Sequence, residues 1–299
     1  MVDFDSMSPI PDEQRRQVLA DNILDYQQWN RKVEALMPQY AAAQPFPHVV
    51  LNDLLHPELA KQLEMDVPGP GEAGWTHYKH FNERKQGKSQ RDDLPASILR
   101  TVDELNSEPF RKLLSRLTGI EALMPDLDFS AGGGLSMCQR GGFLNIHTDF
   151  TVHPRHPQWR RRVNLIFYLN HDWDDAWGGH TELWDDEMRN CVRRIPPHGN
   201  SALVFSTDPP SFHGHPDPMQ CPEGVARKTL ALYYFAVEDA PISVSTEYKP
   251  RPSDGPWKQV LIYADRQLVR AYHFVKQKIG ISDAFASRVL LFLERLFRR

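Results

Sequence analysis

Six short segments between residues 128 and 237 constrain the fold more than any other feature of the chain. Most are rich in β-branched or aromatic residues, and glycine, proline or aspartate separates each from the next. Short strands at this spacing are typical of an antiparallel sandwich or barrel. The pattern predicts a jelly roll with the strands GLSMCQ, FLNIHTDF, RVNLIFYLN, HTELWD, NSALVFS and RKTLALYYFAV.

Helical patterns precede and follow these strands. The first has loosely amphipathic spacing, and Ser107 with Glu108 suits the start of a later one. The patterns predict helices at 12–38, from Pro57 to the loop at Pro68, at 94–106, at 108–118 and twice after Pro256, with a short strand at 48–51.

The chain is therefore predicted to have an α+β fold in three parts. A helical N-terminal region occupies residues 1–127, and its polar stretch at 75–92 is expected to be an exposed loop that acts as a lid. The jelly-roll core occupies residues 128–240. Residues 241–299 form a basic C-terminal helical extension.

Charge is distributed unevenly along the 299 residues. The net charge is −4, yet residues 249–299 hold eleven lysines and arginines against four acidic residues. The acidic remainder of the chain argues against nucleic acid as a partner. The C-terminal helices are more apolar than one docking face requires. They are predicted either to pack on the core or to contact a partner chain or a membrane surface.

Two further absences in the sequence bear on location. No run of about 18 apolar residues occurs and the N-terminus has no signal-peptide core, so a cytoplasmic location is expected. The cysteines Cys138, Cys191 and Cys221 are few and scattered, which fits reduced thiols better than a disulfide framework or a zinc site.

The stretch LNIHTDF places a histidine and an aspartate two residues apart in a predicted strand. Because strand side chains alternate between faces, His147 and Asp149 point to the same side. A histidine paired with a carboxylate would explain this as well as a metal site would. In a metal site, a second histidine completes a 2-His-1-carboxylate triad, which is typical of non-haem Fe(II) oxygenases. His213 and His215 share a face in an extended segment, so alternation cannot choose between them.

A cation opens one face of the last predicted strand. Arg227 shares that face with Thr229, Ala231 and Tyr233. A guanidinium in a pocket is suited to a carboxylate, which it binds through two hydrogen bonds. The alternative is an arginine at a strand end in solvent.

Other polar residues are assigned by position. Asn145 and Gln139 are candidate pocket residues. His180 and Glu182 could imitate a ligand pair, but core or pocket-wall positions are expected for them. Three histidines beside prolines are expected in solvent: His153, His156 and His198.

Together and in this order, the motifs resemble the double-stranded β-helix core of the Fe(II)/2-oxoglutarate-dependent oxygenases, specifically the prolyl-4-hydroxylase-like branch. The resemblance spans about 110 residues. It rests on the Gly-rich turn before the His-x-Asp motif and on the runs RRVNLIFYLNHDW, WGGHTELWD, SFHGH and RKTLALYYF.

The resemblance assigns the site residues. The three metal ligands fall on His147, Asp149 and His213. His213 aligns better than His215 because the family's distal histidine follows a short apolar or aromatic approach. The 2-oxoglutarate anchor falls on Arg227, with Lys228 as a rival, and its tyrosine partner falls on Tyr168.

The resemblance also implies an activity. It implies a dioxygenase that uses Fe(II), 2-oxoglutarate and O2, with ascorbate as a candidate reductant, and that couples decarboxylation of 2-oxoglutarate to hydroxylation of a substrate C–H bond. A small molecule or a glycoconjugate is the expected substrate, since no peptide-binding domain or repeat is evident; a prolyl or amino-acid substrate is also open. The alternatives are a cupin-like metal-binding sensor and an interaction protein. Neither needs the pair formed by Arg227 and Tyr168.

Overall fold

The structure, a computed structural model, describes residues 23–208 and 210–279. The helices are α1 (Tyr26–Ala42), α2 (Pro57–Asp66), α3 (Ala96–Leu105), α4 (Glu108–Thr118) and α5 (Pro256–Ile279). The strands are β1 (His48–Asn52), β2 (Thr76–His80), β3 (Glu83–Lys88), β4 (Met124–Pro125), β5 (Gly134–Gln139), β6 (Phe143–Thr148), β7 (Trp159–Tyr168), β8 (Thr181–Trp184), β9 (Cys191–Ile195), β10 (Ser201–Ser206), β11 (His213–His215), β12 (Ala226–Val237) and β13 (Glu247–Tyr248).

Local sequence signals set the ends of the N-terminal helices. Asp25 caps α1 by accepting a hydrogen bond of 2.9 Å from the amide of Gln28. Ser107 caps α4, as predicted, and Gly119 ends that helix in the left-handed conformation. Of the helix predicted over residues 12–38, residues 12–22 lie outside the described residues, and the described part includes α1.

All described strands belong to one curled antiparallel sheet. Its hydrogen-bonded order is β1-β10-β7-β12-β5-β3-β6-β11-β8-β9, while β2, β4 and β13 pair with β3, β12 and β6. Neighbouring strands come from distant parts of the chain, and Phe167 of β7 lies between Ala202 of β10 and Leu230 of β12. Such non-local pairing is that of a jelly roll, so the predicted α+β fold with a double-stranded β-helix core is confirmed.

Two apolar clusters pack against opposite faces of β7 and β10. Phe167 and its neighbours on one face pack against α1 to α4. Tyr168 and Leu203 on the other face pack against Leu183 of β8 and Ile195 of β9. Each buried leucine or phenylalanine contributes about 1.5–3 kcal/mol. The helices therefore cover the outside of one layer, and the second cluster joins the two layers.

Residues 75–92 are not the exposed loop that was predicted. They form the hairpin β2-β3, and β3 inserts into the sheet between β5 and β6. The charged side chains of this hairpin pair with one another. Lys85 and His80 lie 2.8 and 2.9 Å from the carboxylate of Glu83. A polar stretch can therefore lie inside the sheet, because its charges are paired there.

The chain returns to the sheet once more before α5. In β13, Tyr248 lies opposite His147 of β6. On α5, Asp265 accepts hydrogen bonds from His80 at 2.7 Å and from the side chain of Asn82 at 2.6 Å. These contacts hold α5 against the β2-β3 hairpin.

Strands from all three predicted parts of the chain share this sheet. The division at residues 127 and 240, and the cytoplasmic location, stay predictions. None of the helices in the described part of the chain is long and apolar enough to cross a membrane. The second of the two helices predicted after Pro256 lies outside the described residues.

Candidate active site

A cavity of about 160 Å³ lies between the two layers of the sheet. Ile166 of β7 and Thr229 of β12 line one side of it, and His147 and His213 line the other. Side chains of β3 and β5 also contribute to the wall. The cavity therefore brings together strands that are far apart in the sequence.

The three predicted metal ligands lie together at this cavity. Ligand atoms of His147, Asp149 and His213 are all within 4.8 Å of one another. Nε2 of His147 lies 3.8 Å from Oδ1 of Asp149, and Nε2 of His213 lies 3.6 Å from Oδ2. The two histidines are direct partners across β6 and β11, and Asp149 follows β6 at once.

Backbone hydrogen bonds fix which nitrogen of each histidine faces the cluster. Nδ1 of His147 donates to the carbonyl of Asn145 at 3.0 Å, and Nδ1 of His213 donates to the carbonyl of Ser211 at 2.9 Å. Nε2 of each ring is then unprotonated, as a metal ligand must be. Burial lowers the pKa of both histidines, to about 4 for His147, so both rings are neutral at pH 7.

Asp149 is held in its charged form by its neighbours. Burial would raise its pKa, but Arg161, His213 and His147 together bring it below the ordinary value. Oδ2 lies 3.1 Å from Nη2 of Arg161 and accepts a hydrogen bond of 2.7 Å from Asn164. These contacts leave Oδ1 available, and a set of two imidazole nitrogens and one carboxylate oxygen fits Fe(II).

Arg161 and Asn164 were missed by sequence reasoning. Both belong to RRVNLIFYLN, in which an arginine and an asparagine look like ordinary strand-end residues. Arg161 is only 2% exposed, and its guanidinium lies 3.5 Å from the centre of the Tyr233 ring. The only sign of their role in the sequence was that a strand with the apolar pattern of a buried strand starts with consecutive arginines.

Arg227 is also buried in the cavity wall. Its Nε donates to the carbonyl of Gly179 at 2.8 Å, and its Nη2 donates to Oγ1 of Thr181 at 3.1 Å. A Cβ on Gly179 would lie 3.1 Å from Cδ of Arg227, at a φ of +76° that favours glycine. The glycines of WGGHTELWD thus make room for the arginine. The rival Lys228 does not line the cavity, and its Nζ donates to the carbonyl of Glu64.

Tyr168 lies beside Arg227 without lining the cavity. It is fully buried, and its hydroxyl forms a hydrogen bond of 2.7 Å with Oγ1 of Thr181. Thr181, which sequence reasoning also missed, lines the cavity and contacts both Tyr168 and Arg227. The predicted pair is therefore joined through a threonine.

Other predicted residues differ in where they lie. His215 lines the cavity but is not part of the three-ligand group. Asn145 was predicted in the pocket, but its amide donates to Oδ1 of Asn82 instead. Gln139 is exposed. Glu182 accepts a hydrogen bond from Trp184 and does not line the cavity, and neither does His180.

The three loop histidines do not behave alike. His153 was predicted in solvent but is 3% exposed, and its Nε2 lies 3.2 Å from a carboxylate oxygen of Asp126. The prediction failed because a carboxylate 27 positions earlier is folded against it. His156 and His198 are exposed, as predicted.

The segment that carries these residues matches a known family. Residues 133–235 match the family model described as the 2OG-Fe(II) oxygenase superfamily. This segment carries the sequence pattern of the 2OG-Fe(II) oxygenases. All five predicted site residues lie within the matched segment, and Fe(II), 2-oxoglutarate and O2 are the cofactors of that family.

Solved structures similar to this chain include several prolyl hydroxylases. A Pseudomonas putida prolyl-4-hydroxylase is 14% identical, with 69% of this chain and 99% of that chain covered and a TM-score of 0.49. A Trichoplax adhaerens prolyl hydroxylase, solved with a hypoxia inducible factor peptide fragment, is 16% identical, with 70% and 91% covered and a TM-score of 0.49. The viral collagen prolyl hydroxylase of Paramecium Bursaria Chlorella virus-1 is 14% identical, with 66% and 99% covered and a TM-score of 0.44. No substrate follows for this chain from similarities at these identities.

No curated protein sequence matches the chain.

Proposed function

We propose that this protein is a dioxygenase that couples decarboxylation of 2-oxoglutarate to succinate with hydroxylation of a substrate C–H bond. The observation that carries the proposal is that two neutral imidazoles, a carboxylate and a buried guanidinium all face one cavity. A metal-binding sensor would need the two imidazoles and the carboxylate, but it would not need the buried guanidinium.

The metal would be held by Nε2 of His147, Nε2 of His213 and Oδ1 of Asp149. Fe(II) bound there supplies the activation of O2 that amino-acid side chains cannot provide. Arg161 and Asn164 keep Asp149 charged and hold its other oxygen, so that the carboxylate presents one oxygen to the metal.

Arg227 would bind the carboxylate of 2-oxoglutarate that lies away from the metal. Thr181 accepts a hydrogen bond from the guanidinium and is itself held by the hydroxyl of Tyr168, so Tyr168 is assigned as a positioning residue. Burial of the guanidinium strengthens its attraction for a carboxylate, because little water competes for the contact.

The substrate is proposed to be a small molecule or a glycoconjugate, with ascorbate as the reductant. A prolyl or amino-acid substrate is the alternative within the same reaction. The acidic body of the chain disfavours nucleic acid. A screen of these substrate classes, scored by succinate formed above the rate without substrate, would identify the class.

An anaerobic titration of Fe(II) and 2-oxoglutarate tests the proposal. A visible charge-transfer band is expected when the metal and the keto acid bind together. The band should be absent from His213→Ala and retained in His198→Ala, a matched change at an exposed histidine.

Each result of this titration has a definite meaning. A band that persists in His213→Ala would transfer the ligand role to another residue, with His215 tested next. A wild-type protein that binds the metal but gives no band would overturn the dioxygenase proposal in favour of a metal-binding protein without oxygenase activity.

A further inference from the structure

Among the described residues that line the cavity, three have cationic side chains and only one has a carboxylate. The cations are Lys85, Arg161 and Arg227, and the carboxylate belongs to Asp149. Arg161 is occupied by Asp149 and Asn164, and Arg227 is assigned to 2-oxoglutarate. Lys85 has no part in the function proposed above, although a cation in a cavity needs a role or a partner.

Lys85 lies on the cavity wall between the strand of Arg227 and the strand of His147. Its strand, β3, is separated from the strand of Arg227 by β5 alone, and its other neighbour is β6, the strand of His147. Lys85 and Gly87 alternate along the strand, Ser89 follows directly after it, and all three line the cavity.

Lys85 shares its acidic partner, Glu83, with His80. Nζ of Lys85 lies 2.8 Å from one oxygen of Glu83, and Nε2 of His80 lies 2.9 Å from the other. Although burial opposes it, hydrogen bonds to Asp265 and Glu83 raise the pKa of His80 to about 9, so this imidazole is charged at pH 7. The carboxylate of Glu83 is thus shared by two cations, of which His80 also binds Asp265. The ammonium of Lys85 has two more donors to give.

The surroundings of Lys85 also suit a ligand with an apolar body. Its Nζ lies 5.5 Å from the centre of the Tyr78 ring, and Tyr78 and Tyr233 both line the cavity. A Cβ on Gly87 would lie 2.9 Å from Cε2 of Tyr78, so the edge of the ring approaches the glycine closely. Two aromatic rings flank a cation at a wall that a ligand can reach.

We propose that Lys85 is a second anion-binding residue of the cavity, separate from Arg227, and that it binds a carboxylate. The proposal rests on the proposed function, since the carboxylate belongs either to 2-oxoglutarate or to the substrate that is hydroxylated. With Arg161 occupied, Lys85 is the cation on the described cavity wall that remains for this second carboxylate.

Two binding measurements separate the two sources. The first is the anaerobic 2-oxoglutarate titration of the Fe(II)-loaded protein. The second is calorimetry with benzoate and with its neutral counterpart benzamide, on protein with and without Fe(II) and 2-oxoglutarate. The variants are Lys85→Met, Lys85→Arg and Lys79→Met, in which Lys79 is an exposed lysine of the same hairpin.

Carboxylate binding is expected to be lost in Lys85→Met. It should be partly retained in Lys85→Arg and unchanged in Lys79→Met. At least tenfold weaker 2-oxoglutarate binding would assign the carboxylate to the cosubstrate. Unchanged 2-oxoglutarate binding, with benzoate binding present in wild type and lost in Lys85→Met, would assign it to the substrate. Wild-type binding of 2-oxoglutarate with no effect of Lys85→Met in either measurement would overturn the proposal.

Glu83→Gln distinguishes ligand binding from a merely structural role. If Lys85 binds a carboxylate, removal of its competitor should leave that binding equal or stronger, whereas a structural role makes Glu83→Gln and Lys85→Met equally harmful. If Lys85→Met fails to fold, the double variant Glu83→Gln, Lys85→Gln removes both charges together and is scored in the same way. Absence of the charge-transfer band in wild type would contradict the dioxygenase, and the benzoate arm on metal-free protein would still test Lys85.

Discussion

Single hydrogen bonds decide the chemistry that each side chain of the cavity can perform. The same imidazole could donate or accept through either nitrogen, but backbone carbonyls at Asn145 and Ser211 hold His147 and His213 in one tautomer. Similarly, Asn164 and Arg161 occupy one oxygen of Asp149 and leave the other.

Arg227→Ala should raise the concentration of 2-oxoglutarate required for half-maximal turnover. A charge-assisted contact contributes about 1.5–3 kcal/mol, which corresponds to roughly ten- to a hundredfold. Lys228→Ala is the matched control, because its ammonium contacts the carbonyl of Glu64 away from the cavity. An equal effect of the two changes would move the anchor away from Arg227.

Asn164→Leu should weaken Fe(II) binding by about ten- to a hundredfold, as other losses of a ligand's hydrogen-bond partner do. The substitution removes the 2.7 Å donor to Asp149 and also the acceptor of Nε of Arg161. The measurement is the anaerobic dissociation constant of the metal alone, compared with that of Asn190→Leu at an exposed asparagine. Equal metal affinity in both variants would show that Arg161 alone is enough to hold the carboxylate of Asp149.

Among the elements, the β2-β3 hairpin and α5 depend on each other. Asp265 of α5 accepts hydrogen bonds from the backbone amides of Phe81 and Asn82 at 3.2 Å, in addition to those from the side chains of His80 and Asn82. The turn of the β2-β3 hairpin therefore closes around a residue of the C-terminal helix. Helix α5 is in this way part of the support of the cavity wall.

Asp265→Asn should destabilise the protein by roughly 2–4 kcal/mol, because it leaves His80 without one of its two carboxylates. Amide hydrogen exchange at Phe81 and Asn82 should accelerate more than exchange elsewhere in the sheet. Urea unfolding measures the first effect, with Asp239→Asn at an exposed site as the control. A uniform change in exchange across the sheet would show that α5 supports the whole fold and not the hairpin.

The elements that sequence reasoning found and missed differ in a physical way. The strands with apolar alternation and the helix capped by Ser107 were predictable, because local pattern alone specifies them. β3 was not, because its buried Glu83 is paired with Lys85 and with His80, which no local pattern reveals. Alternation could not separate His213 from His215. The pairing of β11 with β6 does so, since it sets His213 opposite His147 and His215 opposite Leu144.

At the scale of the whole molecule, the stability should depend on pH through His80. Its pKa is raised from 6.5 to about 9 in the folded protein, so its contribution is fully present below pH 6.5 and is lost as the pH rises through 9. The contribution is on the order of 3 kcal/mol.

This pH dependence can be measured by urea unfolding between pH 6.5 and 9.5. Wild type should lose more stability across the interval than His80→Gln, and the difference between the two curves removes the contribution of groups that titrate in both proteins. Parallel curves would show that folding does not raise the pKa of His80. His156→Gln, at an exposed histidine, should follow wild type.

The pairing around β6 also bears on the order in which the protein is made. His147 is synthesised 66 residues before His213 and about a hundred before Tyr248, whose ring lies 5.4 Å from its own. A nascent chain on a ribosome therefore carries an incomplete site for much of its translation. Neither His213 nor the ring of Tyr248 is available to His147 until these later residues have been made. A metal that needs all three proposed ligands can therefore enter only after His213 has been synthesised, and the ring that packs against His147 follows it.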